Sequence, residues 1–217
     1  MRPDIVCIPN GVFAENCYLI SPAGSSEAVI VDPGDEAERF LEEAETRGLT
    51  IREIWLTHAH IDHITGVGRV KAATAAPIFL HPADRELYDN LVQQASWFGL
   101  EVEPAPPPDR ALAHGQTLTF GPLAFAVRHT PGHSLGSVCF VGEGIVIGGD
   151  VLFQGSIGRT DLPGGSLPQL LTSIRTELLV LPEPTIVYPG HGPDTTIGVE
   201  RRTNPFLQAV ETAPPAR

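Results

Sequence analysis

The sequence predicts an α/β protein in which two β-sheets pack together and helices cover their outer faces. Three observations support this prediction. Short apolar runs rich in β-branched residues recur in both halves of the 217-residue chain and follow one another as meanders. Segments with helical periodicity come after these runs in each half. A stiff proline-rich stretch, residues 104–108, joins the halves. Because the second half repeats the pattern of the first, we interpret residues 1–217 as a single domain.

The first half consists of predicted strands interrupted by helices. Turn residues such as Asn10-Gly11 separate the first strands, and Gly48 follows an amphipathic helix that it can terminate. The predicted strands are residues 5–8, 17–20, 28–31, 51–56 and 77–80. The predicted helices are residues 36–47, a segment that starts near residue 64 and closes at residues 72–76, and residues 83–98.

The second half repeats this alternation. Its predicted strands are residues 118–120, 123–128, 137–141, 145–147 and 185–188. Its predicted helices are residues 167–179, with Pro168 in the first turn, and residues 201–209. We expect the tail after Glu211 to be loose.

Composition and charge exclude several classes of protein. The net charge is −12 and Lys71 is the only lysine, so a nucleic-acid partner is not expected. No apolar run approaches the roughly 20 residues of a transmembrane helix, and the start of the chain does not resemble a signal peptide. The three cysteines, Cys7, Cys17 and Cys139, are too few and too far apart for a disulfide framework. We expect them to be small core residues of a cytoplasmic protein.

A cluster of metal-capable side chains lies directly after the strand at residues 51–56. Its members fall within six residues and are His58, His60, Asp62 and His63. Three imidazoles and a carboxylate so close together would repel one another when the imidazoles are protonated, and they are costly to bury without a partner. Neutral imidazole and carboxylate are ligands that zinc and iron accept. The cluster therefore predicts a metal site at the carboxyl edge of a sheet.

Three further positions repeat this arrangement. His133, Asp150 and His191 each follow a predicted strand and each lies beside a glycine that allows close approach of the backbone. Strands from both halves could bring all seven side chains to one edge. Seven ligands are too many for one tetrahedral zinc and fit two metals that share a carboxylate.

The remaining histidines are not expected to be ligands. His81 and His114 lie in predicted loops without a companion ligand. His129 precedes the turn that carries His133, so we place it on the opposite face of the strand end.

Three other residues near these motifs have two interpretations each. Asp32 is either a turn aspartate before Pro33-Gly34 or an acceptor that fixes a ligand histidine from behind. Arg159 forms either a loop salt bridge or a contact with substrate. Phe153 is either core or a wall of the site, and we favour core.

The seven side chains match a known pattern. The run His58-x-His60-x-Asp62-His63, followed by His133, Asp150 and His191, resembles the metal signature of the metallo-β-lactamase fold. Within that fold the sequence is similar to the glyoxalase II group, the hydroxyacylglutathione hydrolases, and above all to its short bacterial branch. The stretches that carry this similarity are residues 15–19, 31–34, 129–134, 149–153, 158–165 and 188–196.

The resemblance implies a fold, a ligand set and a reaction. The fold is a four-layer αβ/βα sandwich of two mixed sheets. One divalent metal ion would be held by His58, His60 and His133, and a second by Asp62, His63 and His191, with Asp150 bridging. Zinc is the expected metal, with iron or manganese as alternatives. The reaction would be hydrolysis of a small thioester such as S-lactoylglutathione, with Asp62 and Asp150 as the catalytic residues.

Two features of the sequence refine this expectation. By the resemblance, true class B β-lactamases lack the bridging aspartate at the position of Asp150, which argues against antibiotic hydrolysis. Long glyoxalase II enzymes have an extra C-terminal helical region that binds glutathione, and here only a short segment follows His191. The sequence therefore predicts loose binding of the thiol part. Arg159, Arg201 and Arg202 are the candidate partners for a substrate carboxylate.

Other functions are considered beside thioester hydrolysis. Within the same fold, a persulfide (sulfur) dioxygenase would use one iron held by His58, His133 and Asp150. A non-catalytic metal-binding module is the alternative of another class, and the full ligand set argues against it. A lactonase or a phosphodiesterase is also compatible with the fold, although the acidic charge disfavours the phosphodiesterase.

Overall fold

The computed structural model describes residues 3–208 and contains two six-stranded sheets. The strands of the first sheet, in spatial order, are β1 (Pro3–Asn10), β2 (Glu15–Pro22), β3 (Glu27–Val31), β4 (Thr50–Trp55), β5 (Ile78–Leu80) and β6 (Arg110–Ala111). Strand β2 pairs antiparallel with both β1 and β3, whereas the neighbouring strands from β3 to β6 pair parallel. This sheet is therefore mixed.

The second sheet is also mixed. Its strands are β7 (Thr117–Phe120), β8 (Leu123–His129), β9 (Val138–Gly142), β10 (Ile145–Gly149), β13 (Ile186–Pro189) and β14 (Thr195–Thr196), in the spatial order β14-β13-β10-β9-β8-β7. Only β10 and β13 are parallel neighbours. A small hairpin of β11 (Leu152–Phe153) and β12 (Ser156–Ile157) lies outside both sheets.

The helices are short. Those that follow strands of the first sheet are α1 (Ala37–Thr46), α2 (Ile61–Ile64), α3 (Val67–Thr74), α4 (Arg85–Asp89) and α5 (Leu91–Trp97), with a 3₁₀ turn at Pro82–Asp84. Those that follow strands of the second sheet are α6 (Leu167–Ser173), a π-helical segment at Ile174–Leu178, α7 (Ile197–Thr203) and α8 (Pro205–Gln208). No helix among residues 3–208 is long and apolar enough to cross a membrane.

Three buried clusters define four layers. Between the sheets, Trp55 packs against Phe125 and Phe140, with ring centroids 5.5 and 5.1 Å apart. A second cluster joins the first sheet to helices that include α1, where Phe40 is fully buried. A third joins the second sheet to α6, where Leu170 is fully buried. Apolar faces on both sides of each sheet therefore produce the predicted sandwich with helices outside.

Two helices that the sequence predicts as continuous are interrupted in the structure. Predicted helix 83–98 is divided at Asn90, and predicted helix 167–179 changes to π-helical geometry after Ser173. The final helix starts earlier than predicted, because the Thr196 side chain accepts a hydrogen bond from Val199 N–H and caps α7. Helix α7 ends at Thr203, and α8 begins at Pro205 after the cap residue Asn204. Ala209 and the tail lie outside the described residues.

Two further expectations need correction. Cys7 is exposed on β1, so only Cys17 and Cys139 are the buried thiols that we expected. Four short strands were not predicted. They are β6, β11, β12 and β14, and β14 follows the predicted strand at residues 185–188. Each of these strands has two residues, which is too short for a periodic pattern.

The fold brings the predicted ligand positions to one edge of the sandwich. The chain leaves β4 at Trp55, two residues before Thr57, and it leaves β10 at Gly149, immediately before Asp150. Val138 N–H on the second sheet donates to the Thr57 carbonyl at 2.8 Å, so the two sheets are hydrogen-bonded where the histidine loop begins.

Candidate metal centre

The histidine loop is buried over most of its length. Residues 57–60 are irregular, and α2 then begins at Ile61 and carries Asp62 and His63. The exposed fractions are 1% for His58, 7% for His60 and 0% for His63. All three imidazoles are thus removed from water.

Three imidazole nitrogens converge on one point. His133 Nε2 lies 2.7 Å from His60 Nδ1 and 3.2 Å from His58 Nε2. The other ring nitrogen of His133, Nδ1, donates its hydrogen to the Arg159 carbonyl at 2.8 Å. Its Nε2 atom therefore carries a lone pair in the neutral imidazole.

The tautomer of His58 follows from its neighbours. Thr57 Oγ1 donates to Asp32 Oδ2 at 2.5 Å and so can only accept from His58 Nδ1, at 3.1 Å. His58 Nε2 then also carries a lone pair, which faces the lone pair of His133. Two lone pairs at 3.2 Å cannot hydrogen-bond to each other. A cation between them satisfies both, so this group fits a metal.

Burial keeps these imidazoles neutral. Burial, followed by repulsion from neighbouring imidazoles, holds the pKa of His58 well below its usual value. Burial and the neighbouring His133 lower the pKa of His60 to about 3. Neutral imidazole is the form that binds a metal ion.

A second group lies beside the first. His191 Nε2 is 3.1 Å from Asp62 Oδ2, and His63 Nε2 is 3.8 Å from the same oxygen. The other ring nitrogens face away from this point, since His191 Nδ1 contacts the Phe13 carbonyl at 3.1 Å and His63 Nδ1 contacts Asp32 at 3.1 Å. Asp62, His63 and His191 therefore direct one ligand atom each toward a common position.

The carboxylate of Asp150 lies between the two groups. Its Oδ1 atom is 3.4 Å from His63 Nε2, and its Oδ2 atom is 3.5 Å from His133 Nε2 and 3.6 Å from His191 Nε2. His63 Nε2 and Asp150 Oδ1 are buried and have no hydrogen-bond partner. Because His63 Nδ1 faces the Asp32 carboxylate, His63 Nε2 carries a lone pair in the neutral imidazole. Two facing, buried acceptor atoms without a hydrogen-bond donor fit a cation that both would bind.

The charges around Asp150 hold its carboxylate in the ionised form. Burial lowers the pKa of His63, but Asp62 and Asp150 outweigh it and hold that pKa well above its usual value. Burial raises the pKa of Asp150, but His63 and the other histidines outweigh it and leave that pKa below its usual range. The carboxylate is therefore anionic at neutral pH, as a metal ligand must be.

Comparison with known proteins assigns the family. A family model of the metallo-β-lactamase superfamily matches residues 10–191, a range that includes all seven converging side chains. The chain belongs to the metallo-β-lactamase superfamily. The resemblance in the sequence and the predicted four-layer fold are both confirmed.

Individual relatives of this superfamily cover nearly the whole chain. The hydroxyacylglutathione hydrolase GloC of Haemophilus influenzae is 40% identical over 210 residues, which are 95% of this chain and 99% of the relative. The crystal structure of BLEG-1, described as a B3 metallo-β-lactamase, is 44% identical with a TM-score of 0.88 and covers 94% of this chain and 99% of that one. TTHA1623 in a di-iron-bound form is 44% identical with a TM-score of 0.86 and covers 93% and 100%. The chain is thus a metallo-hydrolase of this superfamily, and its His/Asp cluster fits divalent metal ions.

Asp32 combines both predicted roles. It lies in a turn with φ of 50°, a left-handed conformation that aspartate tolerates better than most residues. Its carboxylate accepts hydrogen bonds from Thr57 N–H at 2.7 Å and from the Thr57 hydroxyl, and it lies 3.1 Å from His63 Nδ1. Asp32 therefore fixes one ligand histidine directly and another through Thr57.

Arg159 forms the loop salt bridge that was one of its two interpretations, whereas Phe153 does not occupy the core position that we favoured. The Arg159 guanidinium is exposed and forms a bidentate pair with Asp161, with both N–O distances at 2.8 Å, whereas its carbonyl orients His133. Phe153 is half-buried, and its ring lies 6.1 Å from that of His191. It forms a wall of the site, so the preference for a core position was wrong.

The other basic and imidazole side chains are held elsewhere. Arg201 and Arg202 both pair with Glu183, and neither lines the cavity at the metal centre. His81 stacks on His129 with ring centroids 4.1 Å apart, and His129 N–H donates to His114. Among the described residues, these three histidines belong to no group of metal-capable side chains.

Two residues that support the centre were not identified from the sequence. Asp84 is buried in the 3₁₀ turn and accepts hydrogen bonds from Ala59 N–H, Ser134 Oγ and Gly136 N–H. It thereby joins the histidine loop to the loop that carries His133. Asn16 donates to the carbonyls of Pro189 and Gly192 at 3.0 and 2.8 Å, which fixes the loop of His191.

Glycine is required where these loops meet. A side chain on Gly190 would overlap the Asp150 carboxylate and contact the His63 ring. Gly132 has φ of 133°, and a side chain there would overlap the backbone of Leu170 on α6. The expectation that glycine beside a ligand permits close approach is confirmed at these two positions.

A cavity of about 670 Å³ opens above the converging side chains. Its floor contains His60, Asp62, His133, Asp150 and His191. Its walls include Phe13, Leu87, Trp97, Phe98, Leu135 and Phe153. The candidate metal centre is therefore accessible to a small molecule.

Proposed function

We propose that this protein hydrolyses a small thioester, such as S-lactoylglutathione, with two divalent cations. The observation that carries the proposal is the position of Asp150 between two groups of metal-capable side chains. Two-metal sites are suited to hydrolysis at neutral pH. The 40% identity to a protein named hydroxyacylglutathione hydrolase supports the choice of a thioester.

The chain's residues divide into two ligand groups. His58, His60 and His133 would hold one cation. Asp62, His63 and His191 would hold the other, and Asp150 would be shared. Zinc is the proposed metal, with iron or manganese as alternatives, and a di-iron-bound relative supports including iron. When bound, such cations supply a hydroxide nucleophile and polarise a carbonyl.

Residues of the cavity position the reactants. Asp62 is half-buried at the cavity floor, where its carboxylate can accept a hydrogen bond from the attacking water. Its contact with His191 at 3.1 Å restrains that carboxylate. A thiolate is a good leaving group, so the reaction needs no strong general acid. We place this enzyme in the cytoplasm with a small-molecule thioester as its partner, and with neither nucleic acid nor membrane.

Two other activities share these residues. A mononuclear iron persulfide dioxygenase would use His58, His133 and Asp150, which also lie together. Hydrolysis of β-lactams is a candidate because a relative at 44% identity is described as a B3 metallo-β-lactamase. A two-metal hydrolase would use Asp62, His63 and His191 as a second ligand group. Oxygen uptake and the number of metal ions per chain distinguish it from the dioxygenase. A non-catalytic role would not account for an open cavity above the ligands.

One comparison tests these alternatives. A metal-loaded preparation is assayed for thiol release from S-lactoylglutathione, oxygen uptake with glutathione persulfide, and opening of a β-lactam ring. We expect thiol release without oxygen uptake, and β-lactam turnover at least about 100-fold lower, a difference of roughly 3 kcal/mol in transition-state binding. Oxygen uptake without thiol release, together with one iron per chain, would assign the protein to the dioxygenases.

A further inference from the structure

Large apolar side chains remain exposed around the cavity. Exposed fractions are 58% for Trp97, 49% for Phe98, 53% for Leu135 and 36% for Phe13, and all four line the cavity above the metal centre. Leaving so much apolar surface in water is unfavourable unless another group covers it. Because these side chains line the same cavity as the candidate ligands, a substrate bound at the metal centre would cover them.

The charged side chains that line the cavity near these apolar residues do not favour binding of an anionic substrate. Among the described residues that line it, Arg159 is the only arginine or lysine, and its Nε and Nη2 atoms both donate to the Asp161 carboxylate. Glu86 also lines the cavity and is exposed. A substrate carboxylate near these walls would therefore meet no arginine or lysine that is free of a carboxylate partner, and it would lie near the Glu86 carboxylate.

The apolar wall of the cavity, which includes Trp97 and Phe98, is held in a fixed position relative to the histidine loop. The Gln94 side chain on α5 donates to the Ala59 carbonyl at 3.0 Å and accepts from Ile61 N–H at 3.1 Å. Trp97 lies one turn further along the same helix. Phe98 packs edge to face on Phe13, with ring centroids 5.1 Å apart. These contacts fix the apolar wall relative to the histidine loop, so it can select among substrates rather than adapt to each.

We propose that the preferred substrate is a thioester with an uncharged apolar group, a chain of several carbons or an aryl ring, that packs against Trp97, Phe98 and Leu135. This inference rests on the proposed thioester hydrolysis and departs from it in disfavouring glutathione, which carries two carboxylates. The apolar group belongs either to the acyl part or to the thiol part of the thioester. The experiment varies each part separately.

The first measurement compares kcat/KM along a series of thioesters. With the uncharged thiol N-acetylcysteamine, the acyl group is acetyl, butanoyl, hexanoyl or succinyl. We expect kcat/KM to rise about two- to fourfold per added methylene, as for burial of a CH₂ group, and to fall at least about tenfold from butanoyl to succinyl. With the acyl group fixed, benzyl mercaptan in place of glutathione tests the thiol part, and a rise there alone assigns the apolar group to the thiol.

Substitutions at Trp97 and Leu135 test whether these residues bind the apolar group of the substrate. Trp97→Ala should lower kcat/KM for the hexanoyl ester about tenfold and for the acetyl ester much less, which flattens the chain-length dependence. The matched control is Val92→Ala, on the same helix, 46% exposed and outside the cavity, which should leave the dependence unchanged. Leu135→Arg should raise kcat/KM for the succinyl and glutathione esters, because it adds a cation that no carboxylate occupies.

Failure of the inference differs from failure of the proposed function. If S-lactoylglutathione is the best substrate and neither longer acyl groups nor apolar thiols increase kcat/KM, the apolar preference is wrong and thioester hydrolysis stands. An unaltered chain-length dependence in Trp97→Ala, with wild-type thermal stability, also overturns the inference. If no thioester in either series releases thiol, both fall.

Discussion

Two carboxylates act on opposite sides of one imidazole. Asp150 faces His63 Nε2 at 3.4 Å, and Asp32 lies 3.1 Å from His63 Nδ1. A proton on Nδ1 directed at Asp32 leaves Nε2 as the ligand atom, so Asp32 sets the tautomer that a metal requires. The sequence left the role of Asp32 open because an aspartate before Pro-Gly is equally typical of a turn.

Asp32→Asn should weaken one metal position more than the other. Asparagine keeps the shape and tolerates the positive φ of 50°, but its amide carries no charge with which to hold the Nδ1 proton of His63. We expect affinity at the position of Asp62, His63 and His191 to fall about 10- to 100-fold. Metal titration of the apoprotein by calorimetry measures it. Equal affinities in wild type and variant would show that Asp32 serves only the turn.

The 3₁₀ turn at Pro82–Asp84 organises the centre from the side of the first sheet. Asp84 connects the histidine loop with the His133 loop, which belongs to the second sheet. Sequence reasoning did not find it because its partners, Ala59, Ser134 and Gly136, lie far from it along the chain. Two of the three donors are backbone N–H groups, which leave no trace in the side-chain pattern.

Asp84→Ala should destabilise the fold and reduce activity together. Removal of the carboxylate leaves the buried N–H groups of Ala59 and Gly136 without acceptors, which costs about 3 kcal/mol. Chemical denaturation and thiol-release kinetics measure the two effects. Asp89→Ala, which removes an exposed carboxylate five residues away on α4, is the matched control and should change stability by less than about 0.5 kcal/mol. Wild-type stability of Asp84→Ala would refute this account of the turn.

Elements with a long periodic pattern were predicted well, and those without one were not. The apolar runs within β1 and β8 and the amphipathic pattern of α1 are strong enough to locate these elements. The division of a helix at Asn90 depends on packing against neighbouring elements and has no counterpart in the local sequence. The same is true of the two-residue strands, which exist only because a neighbour pairs with them.

At the scale of the whole molecule, the metal centre depends on both sheets. His58, His60 and His63 follow β4 of the first sheet, and His133, Asp150 and His191 follow strands of the second. The sequence predicted this convergence because ligands after strand ends meet at a sheet edge. It could not predict the cavity walls, since Phe13 and Trp97 reach the site only through tertiary packing.

Metal removal should therefore loosen the contact between the sheets. A ligand present at 100 to 1,000 times its dissociation constant stabilises a protein by about 3–4 kcal/mol, so a chelator should lower Tm by about 5–15 °C. Differential scanning calorimetry with and without the chelator measures the shift, and addition of zinc in excess should reverse it. An unchanged Tm, with metal loss verified by elemental analysis, would mean that the sheets hold together without the ions.

The most direct test of the two-metal account is the number of metal ions per chain in wild type and in Asp150→Ala, counted by native mass spectrometry alongside thiol release. Asp150 is the carboxylate that both ligand groups contact. Its removal should lower the count from two to one or none and reduce kcat/KM by at least about 1,000-fold, whereas Asp4→Ala, on β1 away from the centre, should retain both. Two ions and wild-type turnover in Asp150→Ala would contradict the account.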